Sequence, residues 1–249
     1  MLIFVLNAGS SSLKYQLIDI KSKELKASGL VERIGIDGIL KHEIGENKKL
    51  TFELPIPTHK EAIELVLRIL TNDETKVINS IDEIKAIGHR VVHGGEYFKG
   101  SVIVDDEVIR KIEELIPLAP LHNPANILGV KICKDLMPKV PNVVTFDTAF
   151  HQTMPMENFL YAVPYADYTE HHLRKYGFHG TSHYYVSQEA IKLLNKKDSK
   201  VIVCHLGNGS SVCAVKDGKS ISTSMGLTPL EGLVMGTRSG DIDAGVIPY

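Results

Sequence analysis

Residues 4–18, with the sequence Phe-Val-Leu-Asn-Ala-Gly-Ser-Ser-Ser-Leu-Lys-Tyr-Gln-Leu-Ile, form two apolar runs joined by a turn rich in glycine and serine. A shift of 200 residues places the motif Leu6-x-x-Gly9-Ser10-Ser11 on Leu206-x-x-Gly209-Ser210-Ser211, within a second strand–turn–strand pattern over residues 201–215. Apolar runs separated by such turns are typical of hairpins, and their repetition favours a duplicated βββ unit. The sequence therefore predicts two related domains, with a boundary near residue 150.

The rest of the chain alternates strands with helices. Further strands are predicted around residues 25–33, 38–44, 49–54, 84–92 and 143–146. Helices are predicted from Thr58, over residues 105–116, from Asn123-Pro124 and over residues 182–195, with caps at Thr58, Asn123 and Ser182. Strands interleaved with helices predict an α/β fold with mixed sheets.

The composition is typical of a globular protein. The 249 residues are 43% hydrophobic and 23% charged. Such a chain can bury a core without disulfides, which argues against disorder and against a disulfide scaffold. The chain has 28 Lys and Arg residues and 30 Asp and Glu residues, so its formal net charge is only −2. We therefore expect neither a nucleic acid nor an anionic membrane as a partner.

The cysteines and the apolar start of the chain bear on its location. Cys133, Cys204 and Cys213 are sparse and odd in number, as in proteins of reducing compartments. Residues 1–6 are apolar, but they lack a basic leader and are too few for a signal peptide or a membrane span. The sequence predicts a soluble, cytoplasmic protein.

Two common phosphate-binding motifs can be tested against the glycines and fail. A P-loop ending in Gly218-Lys219-Ser220 would need glycine at position 213, which is Cys213. A dinucleotide motif starting at Gly207-Asn208-Gly209 would need glycine at position 212, which is Val212, and a strand follows it in place of a helix.

A hairpin turn that binds phosphate remains possible at residues 7–14 and 205–211. Glycines let the backbone approach an anion, while turn N–H groups and serine hydroxyls donate to its oxygens. Lys14 would add a positive charge. The alternative is a purely structural turn between strands. The pairing of two such turns, with Asn7 and His205 closing the apolar runs, favours function.

A second group of polar residues follows predicted strands or lies in loops, where α/β proteins bind ligands. Its members are Arg90, His93, His122, Asp147, His179 and Arg238. Asp147 could bind Mg²⁺ or act as a base, or it could simply form a turn. Arg90 lies among aliphatic residues and needs an anion, either an internal carboxylate or a substrate. The glycines that flank Arg238 suit the close approach of a ligand.

His179 and His183 are four residues apart, a spacing that binds metals on helices. Gly180 favours a loop at the first histidine, and no His-Glu-x-x-His motif is present. A zinc hydrolase is therefore a secondary hypothesis, which stoichiometric zinc in the purified protein would support.

Seven sequence blocks resemble the acetate kinase family, in the family's order and across the whole chain. They are Asn7-Ala-Gly-Ser-Ser-Ser-Leu-Lys14, Arg90-Val-Val-His-Gly-Gly95, Pro120-Leu-His-Asn-Pro124, Phe146-Asp-Thr-Ala-Phe150, Gly177-Phe-His-Gly-Thr-Ser-His183, His205-Leu-Gly-Asn-Gly209 and Gly236-Thr-Arg-Ser-Gly-Asp-Ile-Asp243. Taken together, these motifs are highly specific.

The resemblance implies an α/β fold of duplicated ribonuclease H-like βββαβαβα domains, as in actin-like ATPases and sugar kinases. Residues 1–149 would be an acyl-substrate domain, and residues 150–249 the start of an incomplete nucleotide-binding domain. The family transfers the γ-phosphoryl group of ATP reversibly to acetate, which gives acetyl phosphate and ADP. It requires Mg²⁺ (or Mn²⁺) and is typically homodimeric.

The resemblance also implies residue roles. Asn7 and Asp147 match residues that hold Mg²⁺, and Asp147 also lies near the acyl group. Arg90 matches the arginine that binds the substrate carboxylate, while Arg238 matches a second arginine at the transferring phosphoryl group. His122 and His179 match histidines around that group, with His179 stabilising the transition state. The phosphate-binding residues would be Ser10, Ser12, Lys14, His205, Leu206, Gly207, Asn208 and Gly209. The acetate pocket would be formed by Arg90, Val92, Leu121, Phe178 and Pro229.

Two alternatives stay open. A small apolar pocket discriminates chain length by only ~1–3 kcal/mol per methylene, so propionate kinase is a close alternative. Family members are longer than this chain, and the adenosine site and a glutamate that binds Mg²⁺ would lie in the remainder. We therefore expect a fragment with exposed apolar surface, incomplete order or poor solubility around residues 200–249, and negligible kinase activity alone. A truncated protein that only binds is the contrasting possibility.

Overall fold

The computed structural model describes residues 1–45, 48–196 and 198–249. These residues form two compact units. Unit 1 comprises Met1–Val91 and Ser101–Thr145, and unit 2 comprises Val92–Gly100 and Phe146–Tyr249. The segment Val92–Gly100 belongs to unit 2 although it lies within the first half of the sequence, which the sequence did not predict. The functional division into residues 1–149 and 150–249 stays a prediction.

Unit 1 is built on one large sheet with helices. Its strands are β1 (Leu2–Ala8), β2 (Leu13–Asp19), β3 (Glu24–Glu32), β4 (Ile39–Ile44), β5 (Lys48–Glu53), β6 (Ile84–Val91), β7 (Val102–Ile103) and β8 (Asn142–Phe146, whose last residue is in unit 2), and its helices are α1 (His59–Thr71), α2 (Asp106–Glu114) and α3 (Asn123–Leu136). The strand order in the sheet is β5-β4-β3-β2-β1-β6-β8-β7.

The order of these strands confirms the predicted ribonuclease H-like fold. β1, β2 and β3 are antiparallel neighbours, and β6 pairs parallel to β1 after the crossover helix α1. A parallel pair requires such a crossover, whereas antiparallel strands need only a turn. Strands β4 and β5 extend the sheet beyond β3 as a further hairpin, and β8 and β7 extend it beyond β6.

Alternation along β1 and β2 separates the core from an accessible face. Phe4, Leu6, Leu13 and Leu17 are buried in the core of unit 1. Successive strand residues point to opposite faces of a sheet, so the intervening Asn7 lies on the other face. Helix α1 packs its apolar side against the core. Thr58 caps it, as predicted, by accepting a hydrogen bond from the backbone N–H of Lys60.

The caps of two other helices differ from the prediction. α3 begins at Asn123 with His122 in the cap position, because the buried side chain of Asn123 turns towards the carbonyl oxygen of Ile112, 3.5 Å away. The last long helix begins at Gly180, with His179 in the cap position, so Ser182 lies inside its first turn.

Unit 2 repeats the hairpin topology. Its helices are α4 (Met156–Phe159), α5 (Tyr165–His171) and α6 (Gly180–Leu194), and its strands are β9 (Lys200–Leu206), β10 (Ser210–Lys216) and β11 (Lys219–Thr223). The order β11-β10-β9, antiparallel throughout, matches β3-β2-β1 of unit 1. The strand ends of β1 and β9 correspond at an offset of 198 residues, not 200, so Gly9 corresponds to Gly207.

Beyond β11 the chain runs mostly through turns, with one short 3-10 helix at Ala244–Val246. Several large apolar side chains of unit 2 are strongly exposed, among them Ile202, Leu206, Val234 and Ile247. Within the described ranges, every helix is too short or too polar to span a bilayer.

Candidate functional site

The β1–β2 turn of unit 1 is held by side chains from two helices. The N–H of Gly9 donates to the carbonyl oxygen of Ser12, 2.8 Å away, which closes the turn. Asn126 of α3 donates from Nδ2 to the carbonyl oxygen of Ala8 at 2.7 Å, and His59 of α1 bonds through Nε2 to the carbonyl oxygen of Gly9 at 2.7 Å. Neither helical residue is predictable from the sequence, because contacts across 118 and 50 residues leave no local signal.

Asn7 and Lys14 are direct cross-strand partners at the end of this hairpin. Both line a groove of about 480 Å³ on the accessible sheet face of unit 1, together with polar side chains that include Gln16 and Ser28. Ser10 is exposed in the adjacent turn, and Ser12 is half-buried. Unit 1 therefore presents an amide, hydroxyls and a cation around one glycine turn, which is the donor set that binds phosphate oxygens.

The other predicted residues of unit 1 lie at β6 and before α3. Arg90 is half-buried in β6. Its neighbour His89 is buried and bonds through Nε2 to Oδ1 of Asn142 at 2.7 Å, and burial lowers the pKa of His89 to about 4. His122 is exposed in the cap position of α3, and Leu121 is 80% exposed, so unit 1 by itself does not bury this predicted pocket residue.

Asp147 of unit 2 follows β8 directly and is 2% exposed. Its carbonyl oxygen accepts a hydrogen bond from the N–H of Gly180 at 2.8 Å. A Cβ at Gly180 would overlap that carbonyl oxygen, so only glycine fits there. The preceding residue, His179, adopts the left-handed conformation with φ of 56°. One close backbone contact thus joins the aspartate at the strand end to the histidine before α6.

A cluster of three histidines lies in unit 2. His179 Nδ1 is 2.8 Å and His183 Nε2 is 2.7 Å from the same hydroxyl oxygen, Oγ of Ser211. The rings of His179 and His205 stack at 3.9 Å between centroids, and His205 Nδ1 bonds to Oγ of Ser182 at 2.9 Å.

This cluster bears on the zinc hypothesis. The two histidines at metal-binding spacing direct one ring nitrogen each to a serine. Among the residues that the structure describes, no group of three or more His, Cys, Asp or Glu side chains is arranged as a metal site.

Arg238 meets the same cluster at the β9–β10 turn. A Cβ at Gly209 would lie 2.7 Å from Nη2 of Arg238 and 3.4 Å from Nε2 of His179, so the missing side chain of Gly209 gives both groups access to the turn. The guanidinium is oriented by a 2.6 Å hydrogen bond from Nη1 to the carbonyl oxygen of Pro229. A Cβ at Gly236 would overlap Asn208. Gly236, which flanks Arg238, therefore allows the close approach of Asn208 in the β9–β10 turn.

Two predicted pocket residues of unit 2 come together in an apolar cluster. Val92 and Phe178 pack with Met225 and Met235, and all four side chains are buried. Pro229, the other predicted pocket residue in this unit, is half-buried and bonds to Arg238. The two methionines were not predicted, since isolated methionines in loops carry no periodic signal.

The backbone of Phe178 is held by a further buried histidine. His151 bonds through Nε2 to the carbonyl oxygen of Phe178 at 3.0 Å and through Nδ1 to Oγ of Ser220 at 2.8 Å. Burial lowers the pKa of His151 to about 4. The thiol of Cys213 lies 3.3 Å from the same serine, and burial raises its pKa to about 11. This buried cysteine packs as a small apolar residue.

The fold is that of the ribonuclease H-like class, which includes the actin-like ATPases and the sugar kinases. The model of the acetokinase family matches residues 2–249, and the chain belongs to that family.

Individual relatives agree. The chain is 57% identical over 251 residues to an acetate kinase of Lachnoclostridium phytofermentans. This alignment covers 100% of this chain and 64% of the relative. The structure of Porphyromonas gingivalis acetate kinase superimposes with a TM-score of 0.95 at 48% identity, over 99% of this chain and 63% of that one. The structure of a propionate kinase from Francisella tularensis superimposes with a TM-score of 0.93 at 47% sequence identity, over 100% of this chain and 63% of that one. The chain thus spans just under two thirds of these proteins.

Proposed function

We propose that the complete protein, a chain of the relatives' full length, is an acetate kinase. It transfers the γ-phosphoryl group of ATP reversibly to acetate, giving acetyl phosphate and ADP. The observation that carries this proposal is the meeting of Arg238 and His179 at Gly209, in a chain that belongs to the acetokinase family. A guanidinium and an imidazole beside a glycine turn form a site for an anion that carries several oxygens.

The chemistry requires positioning more than activation. A carboxylate is already a competent nucleophile, so the protein has to bring two anions together and neutralise charge as it develops. In this proposal Arg90 binds the acetate carboxylate. Arg238, His179 and His122 stabilise the transferring phosphoryl group.

The two glycine turns would bind the phosphates of ATP and ADP. Unit 1 supplies Ser10, Ser12 and Lys14, and unit 2 supplies His205 and the turn that follows it, from Leu206 through Gly207 and Asn208 to Gly209. The functional division into an acyl-substrate domain and the start of a nucleotide-binding domain is part of the same proposal.

Asn7 and Asp147 fit a Mg²⁺ ion (or Mn²⁺) by the chemistry of their donor atoms. An amide oxygen and a carboxylate are the hard ligands that this ion takes, usually one or two from the protein with the remainder from phosphates and water. When bound, the ion neutralises charge on the phosphate oxygens. In this proposal each unit contributes one oxygen, that of Asn7 near the end of β1 and that of Asp147 directly after β8.

The size of the acyl pocket decides between acetate and propionate. Val92 and Phe178 form a buried apolar cluster, and Leu121 and Pro229 are proposed to complete the pocket. Propionate kinase is the second candidate, because a solved propionate kinase superimposes with a TM-score of 0.93. The ratio of kcat/KM for the two acids decides the matter, and a ratio above one for acetate is expected.

The direct test is formation of acetyl phosphate, trapped as hydroxamate, from acetate and MgATP. The complete protein should be active, while residues 1–249 alone should show negligible turnover because the proposed adenosine site lies outside them. Binding of acetate and ATP by the complete protein without turnover would favour a protein that only binds. We further propose a cytoplasmic homodimer for the complete protein, which its sedimentation would test.

A further inference from the structure

We propose that Ser211 and His183 are positioning residues that set the tautomer of His179, so that the neutral ring of His179 carries its proton on Nε2 and donates it as a hydrogen bond. The proton positions follow from the hydrogen bonds within unit 2. Their consequence for phosphoryl transfer rests on the proposed function.

The chain of hydrogen bonds begins at His183. This side chain is 0% exposed, and burial lowers its pKa to about 3, so it is neutral at pH 7. Its Nε2 bonds to Oγ of Ser211 at 2.7 Å. Its Nδ1 is buried and has no hydrogen-bond partner among residues 1–45, 48–196 and 198–249. A neutral imidazole therefore has to place its one proton on either the partnered or the unpartnered nitrogen.

The partnered nitrogen is the favoured place for this proton. A proton on Nδ1 would leave a buried N–H donor without an acceptor, and orphaned buried N–H groups are rare in folded proteins. A proton on Nε2 satisfies the donor and leaves only a lone pair unpaired. His183 therefore donates from Nε2 to the hydroxyl oxygen of Ser211.

The hydrogen bond from His183 determines the direction of the hydrogen bond between Ser211 and His179. A serine hydroxyl has one proton, and the oxygen of Ser211 already accepts from His183. Ser211 is 0% exposed, so water does not compete for its proton, and Nδ1 of His179 lies 2.8 Å away. The oxygen has a second lone pair and could accept from His179 as well, but the buried hydroxyl proton would then have no acceptor among the residues that the structure describes. The hydroxyl therefore donates to Nδ1 of His179. In the neutral ring of His179 the proton is consequently on Nε2.

The protonated edge of His179 is the one that borders the proposed phosphoryl site. The Cβ position of Gly209 lies 3.4 Å from Nε2 of His179 and 2.7 Å from Nη2 of Arg238. The Nε2–H donor and the guanidinium therefore line the same glycine. With the opposite tautomer, His179 would present a lone pair to the phosphoryl oxygens, which would repel them.

A neutron crystal structure of the complete wild-type protein in D₂O tests the proton positions without any substitution. We expect nuclear density for deuterium on Nε2 of His179 and of His183, and a Ser211 deuteroxyl aimed at Nδ1 of His179. Deuterium on Nδ1 of His179 would overturn the proposal. Because this readout is independent of turnover, it distinguishes a wrong tautomer from a wrong function, which the acetyl phosphate assay reports.

Substitutions test the consequence for catalysis. Ser211→Ala should lower kcat about 10- to 100-fold, as is common when a supporting hydrogen bond is lost, with KM for acetate changed less than about twofold. Ser211→Thr keeps the hydroxyl and should recover most of kcat. Ser187→Ala is the matched control, because Ser187 is a buried serine of α6 whose hydroxyl bonds to the carbonyl oxygen of Tyr184.

A second pair of variants acts from the other end of the chain of hydrogen bonds. His183→Gln can still donate from the position of Nε2, whereas His183→Leu cannot. The glutamine variant should keep more of kcat than the leucine variant, with each value taken on folded protein. Equal kcat in the two His183 variants, or a kcat for Ser211→Ala equal to that of Ser187→Ala, would overturn the proposed role of these hydrogen bonds.

Discussion

The β1–β2 turn of unit 1 and the β9–β10 turn of unit 2 occupy the same place in a repeated topology, but different groups support them. The first is tied through its carbonyl oxygens to His59 and Asn126 on helices. The second is lined by Arg238 and a histidine stack. The comparison shows that the repeated strand order determines where a turn lies. The side chains that surround the turn determine its chemistry.

The largest expected effects are on the kinetic constants of two arginine variants, Arg90 in unit 1 and Arg238 in unit 2. Arg238→Ala should lower kcat about 10³-fold, because it removes a donor at the transferring phosphoryl group. Arg90→Ala should also raise KM for acetate, because Arg90 is proposed to bind the acetate carboxylate. Steady-state kinetics of the complete protein separate the two roles, with Arg238→Lys as a control that keeps the charge but loses the planar fork. A folded Arg238→Ala protein with unchanged kcat would remove this residue from the phosphoryl site.

The next effect concerns the backbone contact behind the unit 2 site. Gly180→Ala should lower the free energy of unfolding by about 3 kcal/mol, because the added Cβ overlaps the carbonyl oxygen of Asp147. Gly100→Ala is the control, since nothing lies within 4 Å of a Cβ there. Urea denaturation measures both variants. Equal stability of the two would mean that α6 shifts to accommodate the methyl group without cost.

Acid should destabilise unit 2 more than unit 1. Burial lowers the pKa of His93 and His151 to about 4 and of His183 to about 3, all in unit 2, while unit 1 has His89 at about 4 and a lowered pKa at His42. The unfolded chain binds these protons near pH 6.5 and the folded chain does not, so stability falls as the pH falls below 6.5. Each histidine with a pKa of about 4 or less costs about 2 kcal/mol between pH 6.5 and 5.

Hydrogen-exchange protection factors at pH 7 and pH 5 measure this difference unit by unit. We expect the larger loss of protection in β9, β10 and α6. A larger loss in β1 and β2 would reverse the comparison between the units.

The smallest effect tests the support of the unit 1 turn. Asn126→Ala removes the hydrogen bond to Ala8, which should cost about 1 kcal/mol and raise KM for ATP. Asn158→Ala is matched to it, because Asn158 donates from Nδ2 to the carbonyl oxygen of Ile221 at 2.9 Å in unit 2. The control should lose similar stability without a change in KM. A rise in KM for both variants would show a general effect of destabilisation.

The sequence predicted the hairpins and the polar strand ends, but it misplaced some caps. Ser182 and Asn123 are residue types that commonly cap helices, yet both side chains have other hydrogen-bond partners in the fold. In the sequence Ser211 is distinguished only as part of a repeated turn, and its contacts with His179 and His183 span 32 and 28 residues. Local rules rank a residue by its neighbours in sequence, so partners at such separations are invisible to them.

By itself the sequence determined the repeated βββ unit, the strand that precedes Asp147 and the family of the chain, since short-range alternation of apolar and polar residues and contiguous motifs carry that information. Only the tertiary structure decided that Val92–Gly100 belongs to unit 2, that Gly180 has to be glycine, and which nitrogen of His179 faces Ser211. These outcomes depend on close packing and on hydrogen bonds between distant segments, whose partners exist only after the chain has folded.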